Sequence, residues 1–183
     1  MDLGTLRSYF ATPEPPELGP GPRRGVDSLA PLRDKLDREL AGAHFMGVRA
    51  DLVRATILLW HDYFDVAHTI AQEIETPDGS YVHAILHRRE PDYDNAKYWF
   101  RRVGQHPCFP ELASRSSAFL KSKGAPDLER QLIPGNRWDS FAFVDACQFA
   151  SGEPPGGRPH LLLREIQRME FEVLLEHLLQ DPS

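Results

Sequence analysis

Between His61 and His106 the chain gathers most of its side chains that can bind metals, move protons or hold anions. Five of the eight histidines lie there, with Asp62, Asp65, Glu90, Asp92 and Asp94, and with Arg88, Arg89, Arg101 and Arg102. Two triplets recur at helical spacing: His61, Asp65 and His68 read H-x3-D-x2-H, and His83, His87 and Glu90 read H-x3-H-x2-E. At about 100° per residue, each triplet forms one narrow polar stripe on a helix. His83 and His87, at i and i+4, have the spacing by which two imidazoles on one helix reach a single ion.

The segment TPDGS, with Pro77, Asp78 and Gly79, reads as a turn between the two triplets. In an antiparallel hairpin, residues equally far from the turn lie level, so His68 is expected opposite His87 and Asp65 opposite Glu90. Imidazoles and carboxylates on facing helices suit a divalent transition metal such as zinc, iron or manganese. The expected ligand set is His61, Asp65, His68, His83, His87 and Glu90. Without a metal, the same group makes a polar pocket in which His68 or His87 acts as acid or base and Glu90 or Asp65 orients it. A third reading is plainer. The first stripe lies opposite the apolar face of Leu59, Tyr63, Val66 and Ile70, and such a face is by default solvated. No HExxH or paired ExxH motif selects among the three.

Downstream, RREPDYDNAKYWFRRVGQHP joins arginines, aromatics and acids. Arg88, Lys97 and Arg101 can form a clamp for a small anion, a phosphate or a carboxylate, beside the histidines. The competing reading is a capped amphipathic helix whose arginines pair with Glu90, Asp92 or Asp94. Asn95 either serves the turn or hydrogen-bonds a ligand beside His87. The block from Trp60 to Pro107, with WHDYFDVAH, HRRE, NAKYWFRRVG and HP, resembles an uncharacterised family of microbial proteins. That resemblance implies that the block is one unit and implies no activity.

The elements that must position these residues read as helices. Leu32, Leu36 and Leu40 mark a helix from about Leu29 to Phe45, capped by Asp27 or Ser28. A long central helix is expected over about Arg49 to Glu75. Shorter ones follow over Tyr81–Glu90, Asn95–Val103 and Pro110–Lys123, then Trp138–Phe149 and His160–Leu179. Gly104 reads as a C-terminal cap. The expected fold is all-α, an irregular multi-helix bundle around the long central helix. Strand signals are scarce, and a small hairpin near 131–145 is the one exception allowed. Residues 12 to 25 hold five prolines and three glycines, which disfavour helix and central strand. Residues 1–28 are therefore expected to be a flexible or draped arm on which Leu3, Leu6, Tyr9 and Phe10 can dock, and 29–183 a single helical domain.

Composition bounds the function. The chain has 183 residues, 41% hydrophobic and 26% charged, with a net charge of −6. That balance opposes nucleic-acid binding through a broad basic surface. No apolar run spans a bilayer and no signal peptide is evident, so a soluble cytoplasmic protein without membrane contact is expected. Cys108 and Cys147 show no CxxC spacing and are expected as buried free thiols. His44, His160 and His177 are expected at helix ends or in the core. Two functions compete: a small-molecule enzyme or ligand-binding protein with a His/Asp/Glu pocket and an arginine anion clamp, with or without a metal, and a non-enzymatic interaction protein using the block as a polar surface. A pocket requires the histidines to converge and be buried, whereas a surface leaves them splayed and wet.

Overall fold

The computed structural model describes residues 4–5, 8–21, 23–153 and 156–180. Leu3 and Leu6, two of the expected arm anchors, lie outside the described residues. Nine α-helices follow a 3-10 turn at Ser8–Phe10, and no strand occurs among the described residues. They are α1 (Leu29–Gly42), α2 (Val48–Trp60), α3 (Phe64–Ala71), α4 (Pro77–Arg89), α5 (Tyr93–Val103), α6 (Cys108–Ser122), α7 (Pro126–Leu132), α8 (Ser140–Ser151) and α9 (Arg158–Leu179). Among the described residues, no helix is long and apolar enough to cross a membrane. The fold is all-helical, as the period of the apolar residues predicts.

Three boundaries differ from expectation. The helix expected over Arg49 to Glu75 is two helices, because Asp62 takes a left-handed φ of 67°. Aspartate tolerates that conformation better than most residues. Here it also turns its carboxylate onto Arg23 and Arg89. Second, TPDGS starts a helix rather than a turn. Thr76 caps α4 by accepting the Gly79 N–H at 3.1 Å, and Pro77 occupies the first turn, where its missing N–H costs nothing. Third, residues 131–145 form no hairpin. They hold the end of α7, a 3-10 turn at Pro134–Asn136 and the start of α8, which Asp139 caps through the Phe141 and Ala142 N–H groups.

Helices α4 and α9 form the interior. Helix α4 packs on α2, α3 and α5, while α9 packs on α2, α6 and α8. Where α2 meets α9, Trp60 stacks on Phe10 at 4.4 Å, and Phe171 of α9 meets Trp60 edge-on at 5.4 Å. Phe10 belongs to the N-terminal arm. With Tyr9 and Leu18 it is buried, so the arm contributes to the core.

From Thr12 to Gly25 the arm has no helix or strand among the described residues. Its backbone polar groups instead bind side chains of the body. Gln167 Nε2 donates to Pro16 O and Glu17 O at 3.1 and 3.0 Å, Arg164 to Pro15 O at 2.7 Å and Arg89 Nε to Glu17 O at 3.1 Å. Thr12 Oγ1 accepts from Trp60 Nε1 and from Arg23, both at 3.1 Å. Gly21 lies against Asp62 so closely that a β-carbon would stand 2.6 Å from that side chain. Only glycine fits there.

Asp62 is the junction of arm and body. Its Oδ1 accepts from Arg89 at 2.6 Å, its Oδ2 accepts the Arg23 N–H at 3.2 Å, and the Arg89 and Asp62 side chains are 0% and 2% exposed. Removing one partner of a buried ion pair costs about 3–5 kcal/mol, because the other charge stays desolvated. Asp62→Asn keeps the left-handed backbone and removes the charge. It is expected to cost about 3 kcal/mol or more in urea unfolding. Arg54→Ala, which breaks exposed pairs with Asp37 and Asp51, should cost under about 1 kcal/mol. Equal costs would remove Asp62 from this role.

Candidate metal centre

Helices α3 and α4 lie side by side and bring three imidazoles together. His68 comes from α3, and His83 and His87 come from successive turns of α4. One ring nitrogen from each lies within 4.8 Å of the other two. The His83 and His87 rings stack at 4.7 Å and 19°, and His68 stands edge-on to them at 4.7 and 5.5 Å. His68 is nearer His83 than the His87 expected opposite it. The turn lies at 72–76, earlier than TPDGS, so the level pairing moves towards the start of α4. Trp99 of α5 stacks on His83 at 4.0 Å.

The His83 and His87 rings are buried without being fully satisfied. His83 and His87 are 3% and 7% exposed, and the Nδ1 atom of each is buried with no hydrogen-bond partner. Glu90 Oε2 stands 3.2 Å from His87 Nδ1, at ion-pair distance but outside hydrogen-bonding geometry. His87 Nε2 meets Asn95 Nδ2 at 3.2 Å. Burial, and then the neighbouring His87 and His68, push His83 down to about 3, and burial and His68 lower His87 as well. Burial, with Asp65 and Asp92 nearby, raises the Glu90 carboxyl, while His68 opposes that rise. Neutral imidazole is the form that binds metals. Zinc–nitrogen bonds of about 2.0–2.1 Å place tetrahedral ligands roughly 3.4 Å apart, so the rings need close by at most about 1.4 Å from their 4.8 Å limit.

Three of the six expected ligands thus converge, and Glu90 stands at the edge of the group. His61 does not join them. The break at Asp62 makes His61 the C-cap of α2, where Nε2–H donates to Tyr9 O at 2.9 Å and Nδ1 accepts the Asp27 N–H at 3.2 Å. Both its nitrogens serve the arm. Asp65 is exposed and lines a groove with Arg33, Asp37, Asp51 and Arg54, although its charge still reaches Glu90.

The arginine clamp does not assemble. Arg88 is one step round the helix from His87, about 100°, and so enters the core. There its guanidinium binds both carboxylate oxygens of Glu170 and reaches Gln167 Oε1 at 3.3 Å, over the Phe143 ring at 4.3 Å. Lys97 pairs with Asp145. Arg101 lies over Phe141 at 5.8 Å and lines a different groove with Gln105, Arg137 and Trp138. Arg102 lies over the ring of Trp99, the residue that stacks on His83, at 5.2 Å.

A second cluster of Asp78, His106 and His177 was not legible as such in the sequence, where the three lie in separate segments. Their ligand atoms also fall within 4.8 Å of one another. Here, however, both nitrogens of His106 are engaged. Asp78 Oδ1 accepts from His106 Nε2 at 2.9 Å and from His177 Nε2 at 3.0 Å, and His106 Nδ1 accepts the Cys108 N–H at 3.2 Å. Burial disfavours the Asp78 anion, but the two imidazole hydrogen bonds and their charge hold its carboxyl well below the usual carboxylate range. With Nδ1 taken by a backbone donor, His106 Nε2 carries the proton and offers no lone pair. This cluster ties the start of α4 to α9. The first has buried ring nitrogens without hydrogen-bond partners, and the second has no nitrogen to spare at His106.

Comparison with family models, with curated proteins and with solved structures found no match for the chain. The functional reading therefore rests on the site.

The neutral histidines predict a pH dependence of stability. His83 ordinarily titrates at 6.5 and is lowered to about 3 in the fold. Between those values the unfolded chain binds a proton that the folded chain refuses. Stability therefore rises with pH across the window and is lost on acidification. The slope is at most about 1.4 kcal/mol per pH unit for each such group. Urea midpoints should fall from pH 7 to pH 5 in the metal-free protein, and less steeply in His83→Gln. An unchanged slope in that variant would mean that His83 charges freely in the fold.

Proposed function

We propose that the protein is a metal-dependent, small-molecule enzyme whose centre is His68, His83 and His87, with Glu90 as its acid or base. The observation that carries this reading is the pair of buried Nδ1 atoms on His83 and His87, without hydrogen-bond partners, in a group of three close imidazoles. Unsatisfied buried polar atoms are uncommon in folded proteins and call for a ligand or a water. A divalent transition metal satisfies them without introducing a proton. Zinc, iron and manganese all accept imidazole, and zinc fits a compact three-nitrogen set best.

Three protein ligands leave a position for water or substrate, and a bound metal lowers the pKa of that water to about 7. Glu90 is exposed beside His87, and burial raises its carboxyl, a direction that favours its service as a proton donor. Together these parts fit metal-assisted hydrolysis. Trp99 supplies an aromatic wall, and Arg102 above it supplies positive charge for an anionic group of the substrate. The burial and convergence of the histidines favour this reading over a splayed polar interaction surface. The resemblance of the Trp60–Pro107 block to an uncharacterised microbial family adds no activity to it.

Metal analysis of the purified protein, followed by zinc titration of the chelated form, is the test. One equivalent of metal is expected, with thermal stabilisation that grows with free zinc, about 2.7 kcal/mol at a hundredfold excess over Kd. His87→Ala should abolish uptake and lose no more than about 1–2 kcal/mol of metal-free stability. Asp78→Asn should leave uptake unchanged, because both nitrogens of His106 in its cluster are already engaged. Metal bound equally by the wild type and His87→Ala would refute the assignment.

A further inference from the structure

Asn95 stands where it decides which nitrogen of His87 carries the proton. The chain between α4 and α5 turns tightly and is tied at both ends. Asp92 N–H donates to His87 O at 2.9 Å, and the Asp92 carboxylate accepts the Asn95 N–H at 3.3 Å. These bonds fix the first turn of α5 against the end of α4 and set the Asn95 amide 3.2 Å from His87 Nε2.

A neutral imidazole has one N–H and one lone pair, and a carboxamide can present either its NH2 or its oxygen. With the NH2 towards His87, the Nε2 lone pair is consumed and the proton sits on Nδ1, 3.2 Å from Glu90. Neither nitrogen can then hold an ion. With the amide turned by about 180°, its oxygen accepts from Nε2–H and the Nδ1 lone pair is released. Nδ1 is the buried atom without a hydrogen-bond partner.

We propose that Asn95 is a positioning residue for the metal centre: its carboxamide turns to accept from His87 Nε2–H and so frees Nδ1 to bind the ion. The proton moves from Nδ1 to Nε2 within one imidazole, so the step needs no net proton uptake or release. Outer hydrogen bonds of this kind fix ligand histidines in metalloproteins generally. The inference rests on the metal-centre reading above, and it assigns that reading a particular nitrogen.

The experiment compares wild type, Asn95→Ala and Asn95→Asp in the full chain. Zinc affinity is measured by competition, and the His87 tautomer by long-range nitrogen-15 NMR with and without zinc. Aspartate presents only acceptors, so it holds Nε2–H, whereas alanine presents nothing. Asn95→Ala should bind zinc about 10–100-fold more weakly, and Asn95→Asp should stay within about threefold of wild type or bind more tightly. In wild type, zinc should shift the His87 proton from Nδ1 to Nε2, and in Asn95→Asp the proton should already lie on Nε2 without zinc. Equal affinity in Asn95→Ala, equal loss in both variants, or zinc bound through Nε2 would each overturn the proposal. If the wild type takes up no zinc, yet the His87 tautomer still differs between it and the Asn95→Asp variant, the metal centre is lost and Asn95 stands as the residue that sets His87.

Discussion

Helix α4 has almost no solvent face, and its sequence is not that of an apolar helix. Every residue from Gly79 to Arg89 is buried, including His83, His87, Arg88 and Arg89. Desolvating charged and polar groups is costly unless each finds a partner. The surroundings of α4 are arranged to meet that demand. Arg88 takes Glu170 and Gln167 from α9, and Arg89 takes Asp62, Leu59 O and the Glu17 carbonyl. Around the helix, positions differing by one residue look out in different directions and meet different partners.

Arg89 explains why a proline-rich arm is part of the folded core. A helix body alone would leave Arg89, Arg164 and Gln167 with unpaired donors. The arm supplies carbonyls that no regular helix could offer, because its own backbone makes no helical bonds. In exchange the arm loses little on folding in its proline residues, whose φ is already fixed. Phe10 and Leu18 then close apolar surface over Trp60 and its neighbours.

The histidines of α4 are only partly matched, each with a buried Nδ1 that no hydrogen bond reaches. Two clusters of similar geometry sit at opposite ends of the same chemical argument. Asp78 accepts from both His106 and His177 and so holds α4 to α9. His68, His83 and His87 stack face and edge yet leave buried nitrogens unused. Tyr81 Oη and Arg88 Nε of the same helix are also buried without hydrogen-bond partners, so what marks the site is the unused nitrogens of His83 and His87 within a group of three close imidazoles.

Much of this was legible in the sequence, for physical reasons that are local. The 3.6-residue apolar period specifies the helices, Asp92 and Gly104 bound α5, and the i, i+4 spacing of His83 and His87 puts both rings on one face. The spacing of His68 before the turn brings it to them, even though the turn lies a few residues earlier than TPDGS suggests. What the sequence could not give is which helix face meets which neighbour. His61 shares the period of His68, but the left-handed Asp62 turns it to the arm. Arg88 is adjacent to His87, but the core takes it. Asp78, His106 and His177 are far apart in the chain and meet only because α9 folds back over the start of α4. Period and capping are properties of neighbours along the chain and determine the elements and their polar stripes. Partnership between buried polar groups is settled by desolvation among residues distant in sequence, so the tertiary structure alone decided which histidines became structural and which were left with lone pairs to give.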